Sequence, residues 1–187
     1  TELMPQTMLS AAMLSEHMGI AASNTAGAAE KFKMLGASSD ATVANLTMAV
    51  ASASELAGVN ADEVMADIAG ASEDTLIFMG KTPGALAASA VQARKLGTTI
   101  DDIANTMENM IDFESSINKE MKLSSLLGGH VSMHKLRQLS FAGDAEGVAK
   151  EQLRLLQQMG GLENMNVFQK RAAAEAMGTS VENLMKM

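Results

Sequence analysis

The chain has 187 residues, enough for one domain with a buried core or for two small ones. Its 17 Met and 5 Phe, with no Trp, Tyr or Cys, exclude an interior dominated by aromatic packing and exclude disulfides, thiolate chemistry and cysteine-based zinc sites. Residues 1–120 carry 16 acidic and 6 basic side chains and residues 121–187 carry 6 and 8, and this acidic balance argues against sustained phosphate binding by the first two thirds.

Helices are predicted throughout the chain, because apolar residues recur at helical spacing and no segment alternates with a period of two. The first helix covers residues 3–22 and can continue to residue 34. Four more follow, over 41–57 with Asp40 or Ser39 as its N-cap, from the N-cap Asn60, over 72–79 from Ser72, and from Pro83 to Arg94-Lys95. The N-terminal half is therefore an array of short helices.

The longest predicted element runs from about residue 99 to 127 and is expected to organise the fold. Its apolar side chains are predicted to form one broad buried face: Ile100, Ile103, Met107, Met110, Ile111, Ile117 and Met121. Four short helices follow near 132–141, 144–159, 164–177 and 180–186. The fold class predicted is all-α, with about nine short helices and this long one.

Glycines separate the predicted helices. A glycine adopts the left-handed conformation past a helix end, and a short polar side chain then accepts hydrogen bonds from the N–H groups that open the next helix. The predicted C-terminal helix caps are Gly36, Gly58, Gly70, Gly80, Gly97, Gly129, Gly143 and Gly178. For domains, we expect an N-terminal helix over 1–35, which can extend from the rest, and a compact helical domain over 36–187 with a possible division at 128–130.

No group of residues predicts a metal or cofactor site. His130 and His134 stand four apart, a spacing that can place two ligands on one helix face, but Gly128-Gly129 puts His130 in or beside a turn. The paired acids Asp62-Glu63 and Asp101-Asp102 fall in first helical turns, where the helix dipole favours them.

One pair of residues is similar to a catalytic motif. Glu114-Ser115 resembles the Glu-Ser of lytic transglycosylases, in which a glutamic acid protonates a glycosidic oxygen. The chain has no Tyr or Trp to line such a sugar groove, so the alternative for Glu114 is an exposed helical acid or a partner of Lys119 or Asn118. We predict that the chain is not an enzyme.

Two surface features have alternative interpretations. The Met residues recur along the whole chain, which favours core filling over a Met-rich groove for partner helices. The basic side chains of the last third can face an acidic partner, face acidic neighbours in the chain's own assembly, or form ordinary solvated helix faces, which the pattern favours. These are Lys122, Lys135, Arg137, Lys150, Arg154, Lys170 and Arg171.

From about residue 70 onward, the chain resembles a segment of the tail tape measure proteins, and related long virion proteins, of contractile-tailed bacteriophages. The matching segments are Ala90-Val-Gln-Ala-Arg-Lys-Leu-Gly97, Asp102-Ile-Ala, Asp112-Phe-Glu-Ser-Ser-Ile117, Leu139-Ser-Phe-Ala-Gly-Asp144, Asn164 to Gly178, and Ser180-Val-Glu-Asn-Leu184. None of these segments carries a catalytic residue. Because the family ruler is a long helical rod and this chain interrupts its helices often, the resemblance is to a compact region rather than to the rod.

The resemblance implies a structural virion protein in the tail lumen or baseplate, assembled in the host cytoplasm. Its implied roles are tail assembly, tail length determination and genome ejection. The implied partners are the baseplate hub, the tail tube and further copies of itself as a trimer or hexamer, without sequence-specific nucleic-acid binding. Separately, no run of the sequence approaches 18 apolar residues, so we expect no transmembrane segment. The chain begins with Thr1 instead of an initiator Met, from which we expect a piece of a longer or processed polypeptide. A helical adaptor with a Met-rich groove is the alternative, followed by a cell-wall lytic enzyme.

Overall fold

The computed structural model describes residues 5–79 and 82–186, and this described part is entirely helical apart from its turns and loops. The helices are α1 (Pro5–Met18), α2 (Ala22–Met34), α3 (Asp40–Ala57), α4 (Ala61–Gly70), α5 (Glu73–Met79), α6 (Pro83–Lys95), α7 (Ile100–Ile111), α8 (Phe113–Leu127), α9 (His134–Ala142), α10 (Ala145–Gln158), α11 (Val167–Met177) and α12 (Val181–Lys186). A 3-10 turn covers Leu162–Asn164. The all-α prediction is confirmed.

The chain divides into two compact units. Unit 1 comprises Thr1–Lys95 with Thr99–Asp101, and unit 2 comprises Leu96–Thr98 with Asp102–Met187. Neither the boundary predicted at 35/36 nor the division predicted at 128–130 coincides with the division between these units. The helices on both sides of residue 35 bury their apolar faces against each other within unit 1, and residues 128–130 form a turn inside unit 2.

In unit 1, α1 packs on α3, and α2 packs on α4. The α2–α4 contact is close because it is made by small residues: a Cβ added to Gly27 would lie 2.6 Å from the Cβ of Ala69. Phe32 of α2, Ile68 of α4 and Leu86 of α6 are fully buried. The shortage of aromatic residues is thus compensated by helices that approach each other closely.

Three aspartates of unit 1, each in the first turn of one helix, accept hydrogen bonds from the N-terminal end of another. Asp40 accepts from the backbone N–H groups of Gln6 and Thr7, Asp62 from the backbone of Ala21 and the amide of Asn24, and Asp101 from the backbone of Ser72 and the hydroxyl of Thr75. Desolvation acts to raise the pKa of Asp40, but the hydrogen bonds from Thr7 and Gln6 hold it below its ordinary 3.8. These acids connect helix ends that are distant in sequence.

In unit 2, α8 packs on α11, α9 on α10, and α11 on α12. The fully buried side chains include Met107, Met110, Met133, Leu123 and Leu136. Met thus fills much of this core, as its recurrence along the chain suggested. The unit also buries polar groups, since the amide of Gln152 donates to the hydroxyl of Thr106 at 2.7 Å.

The predicted long helix is interrupted at Asp112. This residue has ψ of 89°, outside the helical range, and its carboxylate accepts a hydrogen bond from the backbone of Ser115 at 3.1 Å, which makes it the N-cap of α8. Because of this break, the apolar residues on its two sides do not form the single buried face that was predicted. Ile103 and Met107 before it are buried, whereas Ile117 and Met121 after it are 42% and 65% exposed.

The first predicted helix is likewise two helices. Gly19, with φ of 67°, ends α1 in the left-handed conformation before α2 opens at Ala22. An uninterrupted helix to residue 34 is therefore wrong, because this glycine acts as a cap.

Most predicted cap glycines have left-handed backbone conformations. Gly58, Gly143 and Gly178 are C-caps of α3, α9 and α11, with φ near 70°, and Gly36 and Gly97 have φ of 97° and 79° just after helix ends. Gly80 lies outside the described residues.

Two predicted caps are corrected. Gly70 is the last residue of α4, and the C-cap is Ala71, whose carbonyl accepts a hydrogen bond from the amine of Lys31 at 2.6 Å. At the Gly128-Gly129 pair, Gly128 is the left-handed cap and Gly129 donates to the carbonyl of Ser124 at 3.3 Å. The first glycine of the pair adopts the left-handed turn because it directly follows the last helical residue.

Candidate interaction surfaces

Large apolar side chains are exposed in both units. Sixteen of them among the described residues are at least 40% exposed, and three are phenylalanines, in a chain that has only five. Single exposed apolar residues are normal on protein surfaces, but aromatic residues are enriched in interfaces. The informative features are the places where these side chains cluster.

The first apolar surface lies in unit 1 between α3 and α6. A groove of 470 Å³ separates the two helices there, and it is lined mainly by Ala, Gly, Val and Leu without a charged side chain. Leu56 stands at this groove and is 91% exposed. The groove exists because the facing positions, such as Ala49, Ala53 and Ala87, are too small to fill the space between the helices.

The second cluster lies in unit 2, where the N-terminal end of α8 meets the C-terminal end of α9. The rings of Phe113 and Phe141 contact each other with centroids 5.1 Å apart and an interplanar angle of 36°. They line a groove of 320 Å³ together with His134, Arg137 and Gln138, which we call the α8–α9 groove. Phe113 is 50% exposed and Phe141 is 56% exposed, although they contact each other.

A buried ion pair lies beside this groove. Nη2 of Arg137 is 2.6 Å from Oε2 of Glu120, and Arg137 is only 7% exposed. The two groups are close but poorly aligned, because both Oε2 of Glu120 and Nη1 of Arg137 lack a hydrogen-bond partner. A buried guanidinium nitrogen without an acceptor is unusual in a folded protein, so Arg137 retains unused hydrogen-bonding capacity.

The two histidines considered as metal ligands do not share a helix face. His130 lies in the loop before α9, whereas His134 is the first residue of that helix, and both are exposed. The described part of the chain contains no cluster of three or more His, Asp, Glu or Cys side chains able to hold a metal ion.

Glu114 lies on an open polar cleft of 440 Å³. Lys122 and Glu175 line the same cleft and form an ion pair of 2.7 Å, which holds the pKa of Glu175 below its ordinary 4.5. Lys119 donates to Asn109 at 3.1 Å, so it is not the partner of Glu114 that the sequence suggested. Glu114 is exposed, whereas a general acid of this kind is normally held in an apolar pocket.

The basic side chains of the last third are largely paired within unit 2. Five of the seven form ion pairs: Lys122 with Glu175, Lys135 and Arg154 with Glu151, Arg137 with Glu120, and Lys150 with Glu146. Hydrogen bonds from Arg154 and then Lys135 lower the pKa of Glu151, against the opposing effect of burial. This pairing leaves little of the positive charge for a broad acidic partner surface.

In unit 1, Arg94 joins α6 to α4. Its guanidinium contacts both carboxylate oxygens of Asp67, at 2.5 and 2.6 Å, and Glu63 at 2.9 Å. Burial raises the pKa of Asp67, although Arg94 acts in the opposite direction. This network fixes the relative position of two helices and is not part of a cleft described above.

Comparisons of the chain with family models, curated proteins and solved structures found no match. No helix among residues 5–79 and 82–186 combines the length and the apolar character needed to cross a membrane.

The structure brings together residues that the sequence did not associate. Neither the α3–α6 nor the α8–α9 groove has Met in its lining, so the Met-rich groove of the adaptor hypothesis is found in neither. Phe113 and Phe141 are 28 positions apart, and periodicity within one helix cannot pair them. The sequence contains one signal for this arrangement, because Asp112 is a residue type favoured at N-caps. A helix that begins after Asp112 exposes a different set of side chains from a helix that continues through it.

Proposed function

We propose that this chain is a folded, non-enzymatic structural segment of a tape measure protein in a contractile phage tail. In this role it packs against further copies of itself and against the baseplate hub or tail tube. The proposal rests on the resemblance of the segments quoted above and on one structural observation, the exposed apolar clusters.

The exposed apolar side chains support an assembly role because apolar surface in contact with water is unfavourable in free energy. Each half-exposed Phe or Leu retains apolar surface that gains about 25 cal/mol per Å² when a partner covers it. A protein whose final state is an assembly keeps such surface for its neighbours. Phe113, Phe141 and Leu56 belong to grooves, and Phe168 of α11 is 73% exposed.

The segments that carry the resemblance correspond to structural positions. They cover the end of α6, the start of α7, the Asp112 cap of α8, the α9–α10 turn at Gly143, and nearly all of α11 and α12. They include helix caps, buried residues such as Ile103 and Ala173, and the exposed Phe113, Phe141 and Phe168, which suits a likeness of structure and surface rather than of catalysis.

The direct test is to search for this chain in phage particles. Peptide mass spectrometry of purified tailed particles, together with the intact mass of the polypeptide containing these residues, should find it as part of a chain much larger than 19.5 kDa. In solution, sedimentation equilibrium should show a trimer or hexamer. Absence from the particles, or a monomer without affinity for hub and tube proteins, would contradict the proposal.

A cell-wall lytic activity is the alternative that the Glu114 cleft allows us to test. We expect the wild type and Glu114→Gln to release equally little soluble fragment from purified peptidoglycan. Release by the wild type that the Gln variant loses would replace the structural proposal with an enzymatic one.

A further inference from the structure

We propose that copies of this chain associate head to tail, with a face of α5 in one copy against a face of α11 in the next. The acidic face consists of Glu73, Asp74 and Ile77 of α5. The basic face consists of Val167, Phe168, Lys170 and Arg171 of α11. The inference rests on the proposed function, in which the chain packs against further copies of itself, and it names the surfaces and the chemistry of that contact.

The acidic face is exposed, while the opposite side of α5 is fixed within unit 1. Thr75 and Met79 on that opposite side are buried. Ile77 is 70% exposed and lies one turn after the exposed acids Glu73 and Asp74. Neither acid forms an ion pair within the described part of the chain. The face therefore offers unpaired negative charge beside a large apolar side chain.

The basic face has the opposite charge and a similar apolar component. Val167 and Phe168 are 63% and 73% exposed, and the exposed Arg171 lies one turn after them. The other side of α11 is buried through residues such as Ala173. Unlike most basic side chains of unit 2, Lys170 and Arg171 form no ion pair among residues 5–79 and 82–186. This face therefore offers unpaired positive charge beside an aromatic ring.

Charge complementarity identifies the occupant of each face as a second copy of this chain. A face of one charge repels another copy of itself, so contact between two identical faces is disfavoured, whereas the acidic and basic faces attract each other. Contact between them places Ile77 against Phe168, with the charged side chains around this apolar centre. The net charge of −8 disfavours nucleic acid and an anionic membrane as alternative partners of the basic face.

The pairing has a consequence for symmetry. A contact between two different faces is heterologous, because each copy uses its acidic face toward one neighbour and its basic face toward the other. Heterologous contacts form either closed rings or open filaments, and a closed ring of three or six copies is the assembly expected in the proposed function. Each face is small and exposed, so a single contact should be weak, reversible and sensitive to salt.

The test reverses the charge of each face in the full chain. The acidic-face variant is Glu73→Lys/Asp74→Lys, and the basic-face variant is Lys170→Glu/Arg171→Glu. In sedimentation velocity at low salt, the wild type should self-associate, and each variant alone should do so about tenfold more weakly, because its two faces then carry like charge. An equimolar mixture of the two variants should associate as the wild type does, because each reversed face then meets its complement in the other variant.

A control variant separates the contact from the effect of net charge. Glu16→Lys/Glu55→Lys changes the net charge by the same amount as the acidic-face variant, at exposed acids of α1 and α3. It should associate as the wild type does. Phe168→Ala keeps all the charges and should weaken association about tenfold, because the apolar centre of the contact is lost. Circular dichroism verifies that every variant is folded.

Several results would overturn the inference. Association that high salt does not weaken, or a mixture of the charge-reversed variants that fails to associate, would each do so. If both variants associate as strongly as the wild type, the copies meet through other surfaces, and the proposed structural function remains. A wild type that is monomeric at every concentration would also overturn the inference, but it would contradict the proposed function only if it lacked affinity for hub and tube proteins as well. Binding of a monomeric wild type, but not of the basic-face variant, to vesicles of anionic phospholipid would make the occupant a membrane surface.

Discussion

Gly178 combines two reasons to be glycine. As the C-cap of α11 it has φ of 72° and ψ of 28°, a left-handed conformation that a Cβ disfavours. It also sits against Asn109, since an added Cβ would lie 2.7 Å from the Asn109 Cβ. Asn109 cannot easily withdraw, because its side chain donates to the carbonyl of Asn105 and accepts from Lys119.

This double constraint predicts the effect of adding one methyl group. Gly178→Ala should destabilise the protein by about 3 kcal/mol, of which about 1 kcal/mol is backbone strain and the rest the cost of overpacking. Gly128→Ala is the matched control, since Gly128 has φ of 67° and nothing within 4 Å of the added Cβ. The control should lose about 1 kcal/mol, from strain alone. Equal losses in chemical denaturation of the two variants would show that the Asn109 contact costs nothing.

Single-residue signals in the sequence were reliable where the physics is local. The predicted N-caps Ser39 and Asn60 each accept hydrogen bonds from the backbone two or three residues on, and most cap glycines are left-handed. The predicted helix boundary was wrong where a capping residue lies within a continuous apolar pattern of helical period. At Asp112 the apolar pattern continued across the residue, and only the capping chemistry of its side chain marked the end of α7.

At the scale of helices, the three aspartates of unit 1 form hydrogen bonds to a second helix, in addition to lying in the first turn of their own. Asp40 of α3 bonds to the start of α1, Asp62 of α4 to the start of α2, and Asp101 of α7 to the start of α5. From the sequence alone, we attributed first-turn acids to their favourable interaction with the dipole of their own helix. Their second role was not predictable, because it depends on which helices pack side by side, as α1 with α3 and α2 with α4.

The cross-helix role predicts a difference between two first-turn acids. Asp62→Ala should destabilise the protein by about 1–2 kcal/mol, because the N–H groups of Ala21 and Asn24 lose their acceptor. Asp74→Ala changes an exposed acid in the first turn of α5 and should cost only about 0.5 kcal/mol, the helix-dipole contribution. Urea unfolding of both variants measures the difference, and equal losses would reduce Asp62 to an ordinary dipole effect.

At the scale of the whole molecule, the chain divides near residue 98 into two units, and each contains fully buried apolar side chains. Phe32, Ile68 and Leu86 belong to unit 1, and Met107 and Leu136 belong to unit 2. Composition could not reveal this division, because Ala-rich and Met-rich helices occur on both sides of it. The connecting residues Leu96, Gly97 and Thr98 resemble the other glycine turns of the chain, so nothing in the sequence distinguishes this turn as a boundary.

Separate cores predict separate folding. Residues 1–101 and residues 96–187, expressed as individual chains, should each be helical by far-UV circular dichroism and unfold cooperatively in urea. The two fragments share the turn, and each is large enough to bury a core of its own. The first fragment keeps Asp101 because its carboxylate binds the backbone of Ser72. A fragment ending at residue 35 serves as the matched negative control, since α1 and α2 bury their apolar faces against α3 and α4, and it should be largely unfolded. If either large fragment lacks a cooperative transition, the two units are parts of one folding domain, and the boundary near residue 98 is only a feature of chain geometry.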